Sequence, residues 1–117
     1  MLKQVLEEFL NIEGVSAAAL VGRDGFVIEM ANAAARAPDI DAFGAASSSL
    51  IRIFDHGGQT LQMGPSRTMV AEYQNGVLVM MPVTPEEFLA ILADSSSAVG
   101  SLTYSIMRNG ARVAAAM

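Results

Sequence analysis

Few side chains in this sequence are of types that do chemistry, and their spacing argues against each reaction in turn. His56 is the lone histidine, and the chain has no cysteine, so no metal-ligand set can be assembled around it. It falls at the C-terminal end of a helical stretch, where a cation meets the helix dipole favourably. Asp39 and Asp41 stand at the start of that stretch and point in different directions, so N-terminal capping explains them better than acid–base work. Glu86 and Glu87 follow Pro85 with no basic or metal-binding partner near them in sequence, and read as a solvated turn. The serine runs at 47–49 and 95–97 have neither a nucleophile elbow nor a base; helix packing and capping account for them. Gly57-Gly58 is followed by no lysine and lacks the spacing of a dinucleotide fingerprint, so it reads as a helix stop. Arg23 and Arg67 fall in turns, where a guanidinium either reaches a partner or stays solvated. No catalytic residue, cofactor site or metal site is predicted, and the chain is not expected to be an enzyme.

Bulk properties exclude further classes. With 117 residues the chain is one domain, read as spanning 1–117, and large enough for a single real core. A net charge of −5 and seven scattered basic residues argue against nucleic acid, whose phosphates reward clustered Lys and Arg. No apolar run reaches membrane-spanning length, and the charged N-terminal helix is not a signal peptide. A soluble cytoplasmic protein without membrane insertion is expected. The apolar fraction of 52% with few aromatics suits a sheet covered on both faces, or a subunit that hides surface in an oligomer. The eight methionines fit two readings, core filler or an adaptable protein-binding surface.

Hydrophobic periodicity supplies the elements that position these residues. Leu2, Val5, Leu6, Phe9 and Leu10 recur at helical spacing, ending near Asn11. Val15 to Val21 is a strand-length apolar run. It is joined by an Arg23-Asp24-Gly25 turn to a second strand running to about Met30, because Asp-Gly between two such runs signals a hairpin. Ala31 to Ala37 reads as a loop. Pro38 and Asp39 open a helix to His56, with Ile40, Phe43, Ser47, Leu50, Ile51 and Phe54 on the face toward a sheet. The opposite face carries Asp41, Ala45, Ser48, Ser49, Arg52 and Asp55, with Ala42 and Ile53 at its edge; its small residues let another element approach closely. Thr60 to Gly64 alternates as a strand, bent at Gly64-Pro65, and Arg67 to Gln74 resumes it. Asn75-Gly76 signals a type I′ hairpin into a buried strand, Val77 to Val83. Phe88 to Ala93 has strand length but is open to a helical reading after Pro85. Asp94 and Ser95–Ser97 cap a last helix with its stripe on Val99, Leu102, Ile106 and Val113, and a break is open at Asn109-Gly110.

The order of these elements resembles the Roadblock/LC7 domain, in the bacterial form proposed to regulate Ras-like GTPases. The matching residues are Gly14-Val15, Leu20 to Ile28 across the hairpin, Asp41-Ala42-Phe43-Gly44-Ala45, Leu61-Gln62-Met63-Gly64, Asn75 to Val79 with Pro82-Val83, and Leu89 to Leu92. They extend over nearly the whole chain. The resemblance implies an α/β sandwich, profilin-like, with a five-stranded, mostly antiparallel sheet, one helix on one face and two on the other. It also implies a homodimer in which central helices pair and third strands join. Interface candidates are then Ala42, Ala45, Ser49, Arg52 and Ile53 on the helix, and Met69 and Ala71 on the strand.

The function implied is binding a small Ras-like GTPase and modulating its nucleotide cycle, with GTPase activation one form of this. Arg23 and Arg67 are the candidates for partner contact. Two alternatives stand beside it: a passive structural adaptor in a multiprotein complex, and a small-ligand sensor with a concave pocket.

Overall fold

Eight elements follow one another as the periodicities require in the computed structural model, which describes residues 1–33, 39–95 and 98–117. They are α1 (Leu2–Phe9), β1 (Val15–Gly22), β2 (Val27–Asn32), α2 (Ile40–Thr60), β3 (Met69–Tyr73), β4 (Gly76–Pro82), β5 (Glu87–Ala93) and α3 (Val99–Ala116). The strands form one sheet of order β2-β1-β5-β4-β3 in which every neighbouring pair is antiparallel. β5 takes the centre, flanked by β1 and β4, because the apolar runs of these three strands are buried on both faces, and β2 and β3 become the edges.

Alternation sorts the side chains into two cores. Leu20, Val79, Leu89 and Ile91 meet Leu6 and Phe9 of α1 and Leu102, Ile106 and Val113 of α3. On the other face Val21, Met80, Phe88 and Ala90 meet Phe43 and Ile51 of α2. One helix therefore covers one face and two cover the other. Met30, Met69 and Met80 are core residues, so three of the methionines act as filler.

Several boundaries differ from the sequence reading. β2 continues through Ala31 and Asn32, because Ala31 faces Ala18 across the ladder and buries in the α1/α3 core. Ala34–Ala37, Pro38, Ser96 and Ser97 lie outside the described residues. Gly57-Gly58 does not stop α2, which runs on to Thr60. A Cβ on Gly58 would stand 2.2 Å from the carbonyl oxygen of Gly64, so the glycine admits the returning chain. Thr60 to Gly64 is accordingly not a strand: Leu61 and Met63 donate to the Gly57 and Gly58 carbonyls at 2.9 and 2.8 Å. Positive φ at Gln62 and Gly64 then turns the chain toward β3. The β3–β4 turn falls on Gln74 and Asn75, since Tyr73 pairs with Gly76, and neither turn residue has the positive φ of a type I′ turn.

Phe88 to Ala93 is strand and pairs on both sides. The N-cap position of α3 is Ala98, which makes no side-chain hydrogen bond; of the expected cap at Asp94 and Ser95–Ser97, Ser96 and Ser97 lie outside the described residues. The helix continues through Asn109-Gly110, where the side-chain Nδ2 of Asn109 donates to the Ser105 carbonyl one turn back at 2.7 Å.

Candidate functional site: the outer face of α2 and the hairpin beneath it

Asp39 begins α2 as expected, its carboxylate accepting from the Ala42 amide at 3.1 Å. The helix turns differently from the sequence reading. Phe43, Gly44, Ser47, Ser48 and Ile51 are buried, whereas Ile40 and Phe54 are exposed. The reason is the β1–β2 turn, which packs against the helix flank. A Cβ on Gly44 would lie 2.2 Å from the Gly25 carbonyl oxygen and 3.0 Å from Val27 Cγ2, so backbone meets backbone there. Gly25 has φ +91° and faces Ala45 and Ser48, which draws Ser48 inward.

Further along the helix Asp55 faces the same flank. Arg23 Nη1 donates to Asp55 Oδ2 at 2.6 Å. The Ser66 amide donates to Oδ1 at 3.1 Å and the Ser66 hydroxyl donates to the same oxygen. One carboxylate thus joins the β1–β2 turn, α2 and the α2–β3 connection. Burial alone would raise the Asp55 carboxyl, but the hydrogen bonds from Ser66 and Arg23 and the Arg23 charge hold it below its ordinary value. A depressed carboxyl contributes stability that is present above the unfolded value and lost as pH falls through the folded one. Asp55→Asn is expected to cost about 1–2 kcal/mol at neutral pH in urea unfolding, because a charge-assisted bond is lost and Arg23 is left unpaired. The gap between the two proteins should close as the solution is acidified; a gap independent of pH would show that the charge does not matter.

This arrangement fixes what the predicted contact residues present. Ala42, Ala45, Ser49, Arg52 and Ile53 all lie on the exposed side of α2, with Ile53 66% exposed. Arg52 Nη2 donates to Ser49 Oγ at 3.2 Å along the helix. Met69 is only 1% exposed, so its side chain serves the core and leaves its backbone alone at the sheet edge; Ala71 is half-buried. Arg67 is exposed and makes no ion pair among the described residues, whereas Arg23 is half-buried and engaged by Asp55. Asp55, Ser66 and the Gly25–Gly44 contact escaped the sequence reading. A glycine inside an otherwise helical pattern is the signal that could have pointed to Gly44; nothing local links Asp55 to a residue 32 positions away.

Among the described residues no cluster of three or more His, Cys, Asp or Glu side chains could hold a metal ion. No helix among them is long and apolar enough to cross a membrane. A hollow of about 440 Å³ lies at the start of α3, bordered by Ile12, Glu13, Ser101 and Leu102, on the far side of the sheet from α2.

The Roadblock/LC7 domain model matches residues 1–93. The gliding protein MglB from Thermus thermophilus is similar in structure, with a TM-score of 0.87 at 21% identity over 97% of this chain and 85% of that one. A Roadblock/LC7 domain from Streptomyces avermitilis gives 0.82 at 21% identity, over 95% and 92% of the two chains. Profilin II of Acanthamoeba castellanii gives 0.66 at 14% identity, over 98% of each. No curated protein matches the chain in sequence.

Proposed function

Because this chain belongs to the Roadblock/LC7 domain family, we propose that it is a non-catalytic, homodimeric regulator or scaffold of a small Ras-like GTPase in the cytoplasm. The observation that carries this reading is the outer face of α2. Ala42, Ala45 and Ser49 form a shallow surface on which a second helix can come close, and Ile53 adds a large apolar side chain left in solvent. The outer edge of β3 is free among the described residues, which supports continuation of the sheet into a second copy.

Binding, rather than a catalytic arginine, is the mode these residues favour. An arginine supplied in trans accelerates GTP hydrolysis by about 10³–10⁵, but Arg23 would first have to leave Asp55. Of the two candidates, Arg67 is the one free for that task. The test is capture of partners from native lysate with GDP and with a non-hydrolysable GTP analogue, followed by hydrolysis assays on any GTPase retained. Preferential capture in the GTP state, with stimulation that survives Arg23→Ala and Arg67→Ala, is the expected result. Capture indifferent to nucleotide would replace regulation by passive adaptation, and loss of stimulation in Arg67→Ala would establish an arginine finger.

A further inference from the structure

At the end of the sheet marked by the β1–β2 turn, a groove of about 300 Å³ runs over Gly22. Phe26 and Ile28 form one wall, Glu86 and Glu87 the other. Leu20 and Leu89 belong to the core beneath α1 and α3, so by alternation Gly22 and its ladder partner Glu87 share that face. The groove therefore opens on the side of the sheet opposite α2.

Both walls are tied down by hydrogen bonds. The turn is seated on Gly44 and held by Asp55, the Arg23 amide donates to the Glu86 carbonyl at 3.0 Å, and the Phe26 amide donates to Asp24 Oδ1 at 3.0 Å. Phe26 is nevertheless 69% exposed. Ile28 is 43% exposed because the ladder slips there: Leu20 pairs with Glu29 and Val21 with Val27, leaving Ile28 as the bulged residue. On the opposite wall the Thr84 hydroxyl accepts from the Glu86 and Glu87 amides and bonds the Glu87 carboxylate. Asp24, Glu86 and Glu87 make the site acidic, and the cation bordering it, Arg23, is already neutralised by Asp55.

We propose that this groove receives an arginine or lysine side chain presented by a protein partner. Such a side chain has an apolar stem and a charged tip. The stem lies along Phe26 and Ile28, with the cation against the ring face, and the tip meets Glu86 and Glu87. A purely aliphatic side chain would desolvate those carboxylates without compensation, and an acidic one would be repelled. Phe26 and Ile28 both stand in solvent beside the carboxylates, so the groove offers apolar surface that a stem-bearing side chain covers and a bare inorganic cation does not.

Titrating the isotope-labelled full chain with the capped peptide Gly-Leu-Arg-Leu-Gly, followed by amide NMR, tests this. The arginine peptide should shift amides of residues 22–28 and 84–88. The same peptide with citrulline in place of arginine should bind about tenfold more weakly, as should the arginine peptide to Phe26→Ala/Glu86→Gln or at about 0.5 M salt. Both substitutions are at exposed positions, and an unchanged amide spectrum elsewhere verifies folding. Absence of shifts at these amides with millimolar peptide, or equal binding of the citrulline peptide, overturns the proposal. Spermidine that binds as tightly as the arginine peptide, with the same shifts, overturns the protein partner in favour of a free polyamine.

Discussion

Gly44→Val is expected to destabilise the fold by about 3 kcal/mol, lowering the melting temperature by about 10 °C. Valine is a better helix residue than glycine, so helix propensity alone predicts a small gain. The contact reverses the sign. The first added carbon already falls 2.2 Å from the Gly25 carbonyl oxygen, an atom of backbone that cannot rotate away. Either the β1–β2 turn lifts off α2 or the helix shifts, and the turn is also held by the Arg23–Asp55 pair. A lifted turn would weaken that pair too, so Gly44→Val combined with Asp55→Asn should cost less than the sum of the two. Calorimetric melting of the single and double variants checks both statements. A melting temperature equal to or above that of the parent would mean that the turn is free to move.

Ala45→Arg and Ser49→Arg are expected to act in the opposite way, leaving the folded chain intact while breaking the proposed dimer. Both side chains are exposed in the single chain, so an arginine there reaches water and costs the fold little. In the proposed helix pairing, each substitution would place a long unpaired charge in a close contact. That costs about 3 kcal/mol, roughly a hundredfold in dimer affinity. Light scattering across a dilution series should show a dimer for the parent and a monomer for the variants, with matching melting of the monomeric unit. A dimer mass unchanged by either arginine would move the interface away from this face of α2. The two predictions separate the helix into a flank committed to the hairpin and a face available to a partner.

That division explains which features were legible beforehand. The capping by Asp39, the burial of Leu102, Ile106 and Val113, and the strand character of Val15 to Val21 follow from neighbours within a few positions. Propensity, capping and amphipathic period are local, so these elements and their order were within reach. The exposed positions 42, 45, 49 and 53 were placed correctly because they follow from the same period. The inward turn of Ser48 and Asp55 was not, since two faces of α2 compete for burial and only the position of the hairpin decides between them.

The sequence by itself thus determined the elements, their order and the absence of a recognisable catalytic motif, all of which depend on short-range pattern and composition. Tertiary structure alone decided the roles of Gly25, Gly44 and Gly58, the engagement of Arg23 by Asp55, and the outward Ile28 beside the acidic groove. Each of these rests on a backbone carbonyl, a charge or a ladder register contributed by another segment. A side chain's type carries no record of which distant atom will stand opposite it once the chain has closed on itself.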